Sequence, residues 1–229
     1  MSSAQLQGAK RLVIFGAGTL ARLAYWYFKR DTEYELAACT VHREYLASAQ
    51  LNGLPVVPFD ELTADYPPTK YSVFVAVGYT RVNRSRAAIF EDCSQLGYDL
   101  PTVVSSRALY WEDLRIGRNC LVFDGVVVEP SVKIADDVIV WSGAQISHDT
   151  SIGSHCFLGP SAVVLGDVSV GDRSFIGGNA TISNGVRIAE DCVVGAGAVI
   201  KADTKQGEIY KVERAHPVEG KHSRDVVEL

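Results

Sequence analysis

Residues 152–169 read IGSHCF, LGPSAV and VLGDVS, three groups of six that each begin with an aliphatic residue and carry a small residue in fifth place. The spacing continues without interruption from residue 116 to residue 205, so that fifteen successive hexads begin with Ile, Val or Leu. Self-similarity at a fixed period is typical of repeat architectures, in which each unit buries its apolar side only against its neighbours. The second half of the chain is therefore predicted to be a solenoid of short strands, with one aliphatic residue per hexad pointing inward.

The first 100 residues follow another pattern, in which apolar strands alternate with helices. The stretch RLVIFGAGTLARLAYWYFKR (11–30) predicts a strand, a glycine turn and an amphipathic helix. YELAACTV (34–41) and YSVFVAVGY (71–79) predict two more strands, and a helix is expected from about residue 81 to residue 96. Such alternation predicts a small parallel, Rossmann-like sheet. We therefore divide the chain into a Rossmann-like domain (1–100), a solenoid domain (101–205) and a C-terminal tail (206–229).

A glycine turn, Gly16-Ala17-Gly18, follows the first strand and is of the type that brings backbone amides to a phosphate at a helix N-terminus. The second strand ends in Thr40-Val41-His42-Arg43, without the acidic residue that holds the ribose of NAD, so NAD is not expected. The alternative is a ligand-free turn that only allows close packing. The residues expected at this edge of the sheet, and predicted to bind the substrate, are Gly16, Gly18, Thr19, His42, Arg43, Gly78, Tyr79 and Asn83.

The chain as a whole resembles the hexapeptide-repeat sugar acetyltransferases of bacteria, which include sialic acid O-acetyltransferases and N-acetyltransferases of nucleotide-linked amino sugars. The motifs that carry the resemblance are VIFGAG, VFVAVGY, the hexads, SHDTSIG, LGDVSVG and VGAGAVI. The resemblance implies a left-handed parallel β-helix with three hexads per coil, here about five coils. It also implies acetyl-CoA as co-substrate, a sugar or nucleotide sugar as acceptor, and a homotrimer.

Counting by three hexads separates the outer faces of the implied coils. The residues beside the inward Val122, Val140 and Leu158 are apolar, among them Phe123 and Trp141. The residues on both sides of Ile116, Ile134 and Ile152 include Arg, Lys and Ser and make a polar face. Because a long apolar outer face implies a partner surface, we expect the first face to pack between the subunits of the homotrimer.

His148-Asp149, within SHDTSIG, matches the histidine and following acid with which the family removes a proton from the acceptor. Acyl transfer to a nucleophile needs a base that titrates near neutrality, and imidazole does so without a large change in pKa. A neighbouring carboxylate can orient the ring and stabilise its charged form. Gly166, three hexads later, lies at the same corner, where the resemblance implies that its N–H stabilises the thioester oxyanion.

Further positions are predicted to contact the coenzyme. Gly178 and Ala196 match family positions whose amides hold the pantetheine arm. Lys201 is a candidate contact for the coenzyme phosphates, with a solvated charge as the alternative. A related enzyme type places a second histidine against the coenzyme where this chain has Phe157. His155 is the candidate to replace that histidine, and a surface role is the alternative.

The cysteines and histidines predict neither disulfides nor a metal. Cys120, Cys156 and Cys192 all occupy the small fifth position of a hexad, as expected of structural thiols in a core. Five cysteines without a Cys-x-x-Cys pair favour a reducing compartment. A zinc site like that of the γ-carbonic anhydrases needs about three protein ligands. The solenoid offers only His148 and His155, so no metal is expected.

Composition narrows the possible partners. The formal charge of −5 and the sequence pI of about 5.5 argue against binding to nucleic acid or to an anionic membrane. No apolar run reaches the length of a membrane span, and the first residues lack the apolar centre of a signal peptide. We therefore expect a cytoplasmic protein.

The favoured function is acetyl transfer from acetyl-CoA to the amino group of a nucleotide-linked amino sugar in bacterial glycan biosynthesis, because a phosphate-binding turn then has a purpose. O-acetylation of a sialic-acid-like sugar is the alternative within this class. A non-catalytic assembly or binding protein is the alternative from another class, and the presence of His148-Asp149 argues against it. His42-Arg43 replaces the acidic residues common in nucleotide-sugar members, which leaves the nucleotide open.

Overall fold

The computed structural model describes residues 10–213 and residue 219. The strands of the N-terminal sheet are β1 (Arg11–Phe15), β2 (Glu35–Val41), β3 (Gln50–Leu51), β4 (Leu54–Pro58) and β5 (Tyr71–Val75). Their order is β3–β4–β2–β1–β5, and the sheet is parallel except for the antiparallel β3–β4 pair at its edge. The Rossmann-like sheet predicted from the alternating pattern is confirmed, with the short hairpin as an addition.

Helices cover both sides of this sheet. They are α1 (Thr19–Asp31), α2 (Leu62–Asp65) and α3 (Arg84–Gln95), with 3-10 turns at Arg43–Tyr45 and Phe59–Glu61. Leu12 and Ile14 of β1 pack in the same cluster as α1, whereas Val13 and Phe15 pack with α3. Both faces of β1 are therefore buried, which explains why its sequence is continuously apolar. No helix within residues 10–213 is long and apolar enough to cross a bilayer.

The third helix begins three residues later than predicted. Arg81, Val82 and Asn83 all have positive φ values, of 55°, 53° and 63°, and form a left-handed turn before α3. The expected helix start at residue 81 was wrong because tertiary contacts of Asn83, described below, override the local preference for a right-handed helix.

The second half is a left-handed parallel β-helix with three faces, as predicted. Each strand pairs with the strand one coil later, for example Val140 with Leu158. Face 1 contains β6 (Val103–Val104), β9 (Leu121–Val122), β12 (Ile139–Val140), β15 (Phe157–Leu158), β18 (Phe175–Ile176), β21 (Val193–Val194) and β23 (Ile209–Tyr210). Face 2 contains β7 (Leu109–Tyr110), β10 (Val127–Val128), β13 (Gln145–Ile146), β16 (Val163–Val164), β19 (Thr181–Ile182) and β22 (Val199–Ile200). Face 3 contains β8 (Arg115–Ile116), β11 (Lys133–Ile134), β14 (Ser151–Ile152), β17 (Ser169–Val170) and β20 (Arg187–Ile188).

The β-helix has about six coils, one more than the hexads predicted. Three strands outside the fifteen hexads account for the difference: β6 and β7 precede Ile116, with Val104 of β6 packed against the core, and β23 follows residue 205. The hexad that begins in β7 does not fit the repeat pattern, because Tyr110 is not aliphatic and Leu114 occupies the place of the small fifth residue. At the other end, β23 pairs with β21 although it lies beyond residue 205, so the boundary of the predicted tail was too early. The tail beyond residue 213 lies outside the described residues, apart from residue 219.

Each corner of the β-helix has the same backbone geometry. From Asn119 to Gly197 the fourth residue of every hexad has a positive φ, a conformation that Gly, Asn and Asp tolerate best. The small fifth residue that follows is buried, as at Cys120, Cys156 and Cys192. Burial raises the pKa of the Cys120 and Cys156 thiols to about 12. All five cysteines are free and buried, so these thiols fill space in the core.

The apolar outer side of face 1 is covered by the N-terminal domain of the same chain. Leu121, Phe123 and Ile139 are almost fully buried, in one cluster with residues of α1 such as Leu20 and Phe28. Our expectation that this side packs between subunits was wrong, because an intramolecular partner already covers it.

Candidate active site

His148 lies at the corner between faces 2 and 3, immediately after β13. It is the third residue of its hexad, and its side chain is 54% exposed. Its backbone N–H donates to the Glu129 carboxylate at 2.9 Å, and its carbonyl accepts from the Asp167 N–H at 3.0 Å. The corner therefore fixes the backbone of His148 while its imidazole stays accessible.

Asp149 orients the imidazole. It has a φ of 58°, and its Oδ2 lies 2.9 Å from Nδ1 of His148. A neutral ring that donates from Nδ1 leaves Nε2 as a proton acceptor. The hydrogen bond to Asp149 raises the pKa of His148 above its ordinary value, and the charges of Glu129 and Asp167 act in the same direction. The pair thus has the chemistry of a general base with its orienting carboxylate.

Gly166 lies one coil beyond His148 at the same corner, and the absence of a side chain there makes room for the imidazole. A Cβ on Gly166 would lie 2.6 Å from Cε1 and 2.7 Å from Nε2 of His148. Within residues 10–213 the Gly166 N–H donates to no protein acceptor. Gly166 therefore lies beside the imidazole, and its N–H is available to an acceptor outside the described chain.

The predicted coenzyme positions lie elsewhere on the β-helix. Gly178 and Ala196 lie one coil apart at the corner between faces 1 and 2, and within the described residues neither N–H has a protein acceptor. Gly177, beside Gly178, is required at this corner because its Cβ would lie 2.5 Å from the Ala196 backbone nitrogen. Lys201, after β22, is exposed. Small residues and free amides at this corner fit an extended, hydrogen-bonding arm of a coenzyme.

The other two coenzyme candidates contact the N-terminal domain instead. The Nδ1 atom of His155 lies 2.8 Å from Oδ2 of buried Asp137, and only 12% of the His155 side chain is exposed. Phe157 is 5% exposed and packs under the ring of Tyr79. The N-terminal domain therefore covers this side of the β-helix, and a coenzyme contact by His155 or Phe157 stays a prediction.

A crevice of about 900 Å³ opens where the carboxyl edge of the N-terminal sheet meets face 1. The glycine turn lies on one side of it. Gly16 is required because its Cβ would lie 2.7 Å from the carbonyl oxygen of Ala76, whereas the place of a Gly18 side chain is open. Helix α1 has no acidic residue in its first turn and no side-chain cap at Gly18. Its N-terminal amides therefore face the crevice, and residues 10–213 supply no competing acceptor for them.

Aromatic side chains form much of the remaining wall. His42 packs between the rings of Phe15 and Phe59, and Tyr79 rests on Phe157 and Phe175 while remaining 56% exposed. The structure brings six of the eight predicted substrate residues to this crevice, namely Gly16, Gly18, Thr19, His42, Gly78 and Tyr79.

Two of the predicted substrate residues do not line the crevice. Arg43 is exposed and pairs with Asp60 and Glu61, each at 2.6 Å. Asn83 is fully buried and donates to the carbonyl oxygen of Arg173 at 3.0 Å. Asn83 therefore fastens the sheet edge to the β-helix instead of facing a ligand.

Some lining residues were missed in the sequence, among them Tyr45, Arg81 and Asp92. Arg81 could have been found as a cation that closely follows Gly78-Tyr79 at the same edge. Tyr45 and Asp92 carry no comparable signal, because a turn and a helix bring them there. Residues 10–213 contain no group of three or more His, Cys, Asp or Glu side chains that could hold a metal ion.

Comparisons with known proteins agree with this architecture. The family model described as bacterial transferase hexapeptide (six repeats) matches residues 113–148 and 149–184, and the model of the hexapeptide repeat of succinyl-transferase matches residues 167–202. A search of curated protein sequences gives no significant match.

Solved structures similar to this chain include PerB from Caulobacter crescentus in complex with CoA and GDP-perosamine. The two are 30% identical over 90% of this chain and 93% of that chain, with a TM-score of 0.77. The acetyltransferase domain of PglB from Neisseria gonorrhoeae in complex with acetyl coenzyme A is 27% identical, over 88% of this chain and 96% of that chain, with a TM-score of 0.79.

A histidine-to-asparagine mutant of perosamine N-acetyltransferase from C. crescentus, in complex with the same two ligands, is 29% identical over 89% of this chain and 93% of that chain, with a TM-score of 0.79. Thirty percent identity over 93% of PerB, on a matching fold, is enough to define a family relationship. The chain therefore belongs to the hexapeptide-repeat sugar acetyltransferases.

Proposed function

We propose that the protein transfers the acetyl group of acetyl-CoA to the amino group of a nucleotide-linked amino sugar, in bacterial glycan biosynthesis, with His148 as general base. The observation that carries the proposal is the imidazole of His148, held by Asp149 at 2.9 Å with Nε2 beside Gly166. The amine acceptor is supported by the similarity to PerB, which was solved with CoA and GDP-perosamine. O-acetylation of a sialic-acid-like sugar has no counterpart among the similar structures described above.

In the proposed reaction, Nε2 of His148 accepts a proton from the attacking amine as the new C–N bond forms. The carbonyl oxygen of the thioester becomes an oxyanion, which the Gly166 N–H stabilises. Collapse of the tetrahedral intermediate breaks the C–S bond, and the proton held by His148 passes to the CoA thiolate. Asp149 keeps the imidazolium oriented and lowers its energy between these steps.

The two substrates are assigned to different parts of the molecule. We place the pantetheine arm along Gly178 and Ala196, with Lys201 near the coenzyme phosphates. The diphosphate of the acceptor is assigned to Gly16, Gly18 and Thr19, where the first amides of α1 are free of acidic neighbours. His42, Gly78 and Tyr79 then contact the nucleoside or the sugar.

A homotrimer is part of the proposal, because one chain does not unite these sites. Among the described residues that line the crevice, none belongs to the corner of His148. Face 1 is covered within the chain from Leu121 to Phe157 and the outer residues of face 3 are polar, whereas Leu109, Trp111 and Val199 on face 2 are 69%, 61% and 55% exposed. We propose that face 2 packs between subunits and brings His148 of one subunit to the crevice of its neighbour.

We also propose a cytoplasmic location. The supporting observation is that all five cysteines are free and buried, as is usual for proteins of a reducing compartment.

The test of the proposed function is an acceptor panel. The purified protein is incubated with acetyl-CoA and, in turn, GDP-perosamine, a UDP-linked amino sugar, the free amino sugars and a sialic acid. Thiol release is followed, and the product is identified by mass spectrometry. We expect an amide product and thiol release with at least one nucleotide-linked amino sugar, and much slower release with the free sugars. Acetylation of the sialic acid hydroxyl alone, or no thiol release with any acceptor, would overturn the proposal.

A further inference from the structure

The left-handed turn of Arg81, Val82 and Asn83 lies at the mouth of the crevice. Three successive residues other than glycine share positive φ values, and one of them is β-branched. Left-handed conformations usually occur as single residues, because the side chain then crowds the following carbonyl. The turn therefore has to be held by contacts from outside it.

Asn83 and Arg86 supply those contacts. The amide of Asn83 donates to the carbonyl oxygens of Arg173 at 3.0 Å and Ser174 at 3.2 Å, while its Oδ1 accepts from Arg86 at 3.1 Å. Arg86 is fully buried and also donates to the carbonyl oxygen of Gly78 at 3.4 Å. Residues on both sides of the turn are thereby fixed.

Arg86 is in turn anchored in the β-helix. Its Nε atom lies 3.0 Å from the carboxylate of Asp137, and both side chains have no exposed surface. Its Nη2 donates to the carbonyl oxygens of His155 at 2.7 Å and Cys156 at 3.1 Å. The turn therefore has a fixed position relative to the solenoid as well as to the sheet.

The residue that this turn presents to the crevice is Arg81. Within the part of the chain that the structure describes, it is the one Lys or Arg that lines the crevice, where the acidic Glu44 and Asp92 also lie. Its side chain is exposed, and none of the ion pairs found within residues 10–213 includes it. On another wall of the crevice, Gly18 and Thr19 open helix α1 without any acidic residue in its first turn.

We infer that Arg81 is a binding residue for the diphosphate of the acceptor, and that Asn83 and Arg86 are positioning residues that hold it ready. A guanidinium matches the geometry of phosphate oxygens, and a cation from another element adds to the attraction of the α1 amides for a diphosphate. The fixed turn leaves little backbone motion to be lost on binding. This inference rests on the proposed function, because it identifies the residue that selects a nucleotide-linked acceptor.

The test measures the affinity of the full chain for GDP and for UDP by calorimetry. Acetyl-CoA, which we assign to another site, serves as the control ligand. Arg81→Gln is compared with Arg84→Gln, whose guanidinium pairs with Asp191 at 3.0 Å and does not line the crevice. We expect Arg81→Gln to weaken diphosphate binding roughly tenfold to a hundredfold and to leave acetyl-CoA binding unchanged. Arg84→Gln should bind all three ligands as the wild type does.

A second pair of variants tests the positioning role. Asn83→Gly removes the anchoring side chain but keeps a residue that tolerates positive φ, whereas Val82→Gly adds the same freedom without removing an anchor. We expect Asn83→Gly to weaken GDP binding several-fold more than Val82→Gly does. If Asn83→Gly does not fold, Asn83→Asp, which loses the two donated hydrogen bonds, takes its place in the comparison.

Wild-type affinity for both diphosphates in Arg81→Gln, or no diphosphate binding by the wild type, would overturn the assignment of Arg81. Wild-type GDP affinity in the Asn83 variant would overturn the positioning role.

Acetyl transfer by the wild type is measured in parallel. If Arg81→Gln keeps its diphosphate affinity while the wild type acetylates nucleotide-linked amino sugars, the inference fails and the proposed function stands. If diphosphates bind through Arg81 but no acceptor is acetylated, the proposed function fails instead.

Discussion

His148 and His155 occupy neighbouring positions of the hexad, the third and the fourth, and their side chains differ in exposure. His148 is a third residue, with a side chain that is 54% exposed. His155 is a fourth residue with a φ of 61°, and it turns back onto Asp137 with 12% of its side chain exposed. The register of the hexads predicted a corner position for His148. It did not predict the burial of His155, because that depends on where α3 docks.

The pH dependence of the reaction tests the assigned role of Asp149. Because the base must be neutral to accept a proton, kcat/KM should rise as the pH passes the raised pKa of His148. Asp149→Asn removes the charge that raises this pKa, so the rise should move to lower pH, while orientation of the ring is partly lost and the plateau falls. The measurement is kcat/KM against pH for both proteins. A rise that stays in place or moves to higher pH would contradict the assignment.

Gly166→Ala tests whether the space beside the imidazole matters. The added Cβ would lie 2.6 Å from the ring, so His148 must move. We expect kcat to fall roughly a hundredfold through this misplacement, with little change in folding. Asn184→Ala, one coil further along the same corner, is the control and should retain its rate. Unchanged kcat in Gly166→Ala would show that the ring is not held where the reaction needs it.

At the level of elements, helix α3 is attached to the β-helix through a buried charge. Arg86 and Asp137 have no exposed side-chain surface, and Asp137 also accepts from Asn119 at 2.7 Å. Neither the burial of Arg86 nor its partner is visible in the sequence, where an arginine in an amphipathic helix indicates an exposed face. The partners lie 51 residues apart, and only the docked fold brings them together.

Removal of one member of this pair should be more costly than removal of both. Arg86→Met leaves the buried Asp137 without its cation, and we expect a loss of about 3 kcal/mol in the free energy of unfolding. The double variant Arg86→Met/Asp137→Leu removes the uncompensated charge and should recover part of that loss. Urea unfolding of the single and double variants measures the difference. A double variant less stable than Arg86→Met would show that Asp137 contributes mainly through its other hydrogen bonds.

At the scale of the whole molecule, the β-helix was predictable from the hexad repeat, because each hexad packs against neighbours of the same pattern. The sequence could not show which molecule covers the outer side of face 1, since apolar residues there fit a second copy and a second domain equally well. Phe123 and Trp141 stack at 4.5 Å within this junction, and Tyr27 of α1 packs on Phe123 at 4.8 Å. The crevice depends on that junction, so only part of its lining was predictable.

The proposed homotrimer has a direct test at the same scale. Trp111→Asp places a charge on exposed face 2, where the wild-type side chain is 61% exposed. We expect light scattering to give the mass of a trimer for the wild type and of a monomer for the variant, with loss of acetyl transfer because the site is divided between subunits. Trp26→Asp, exposed on α1, is the control and should remain trimeric. A trimeric Trp111→Asp protein would exclude this face as the interface.

The most direct test of the central claim is the rate of acetyl transfer by His148→Ala. The wild type and the variant are compared with saturating acetyl-CoA and the best nucleotide-linked amino sugar, and both substrate affinities are measured separately. We predict that kcat falls by about 10²–10⁴ while both ligands still bind, because a general base contributes about that factor. Retention of the wild-type rate in His148→Ala would contradict the assignment of His148 as the base.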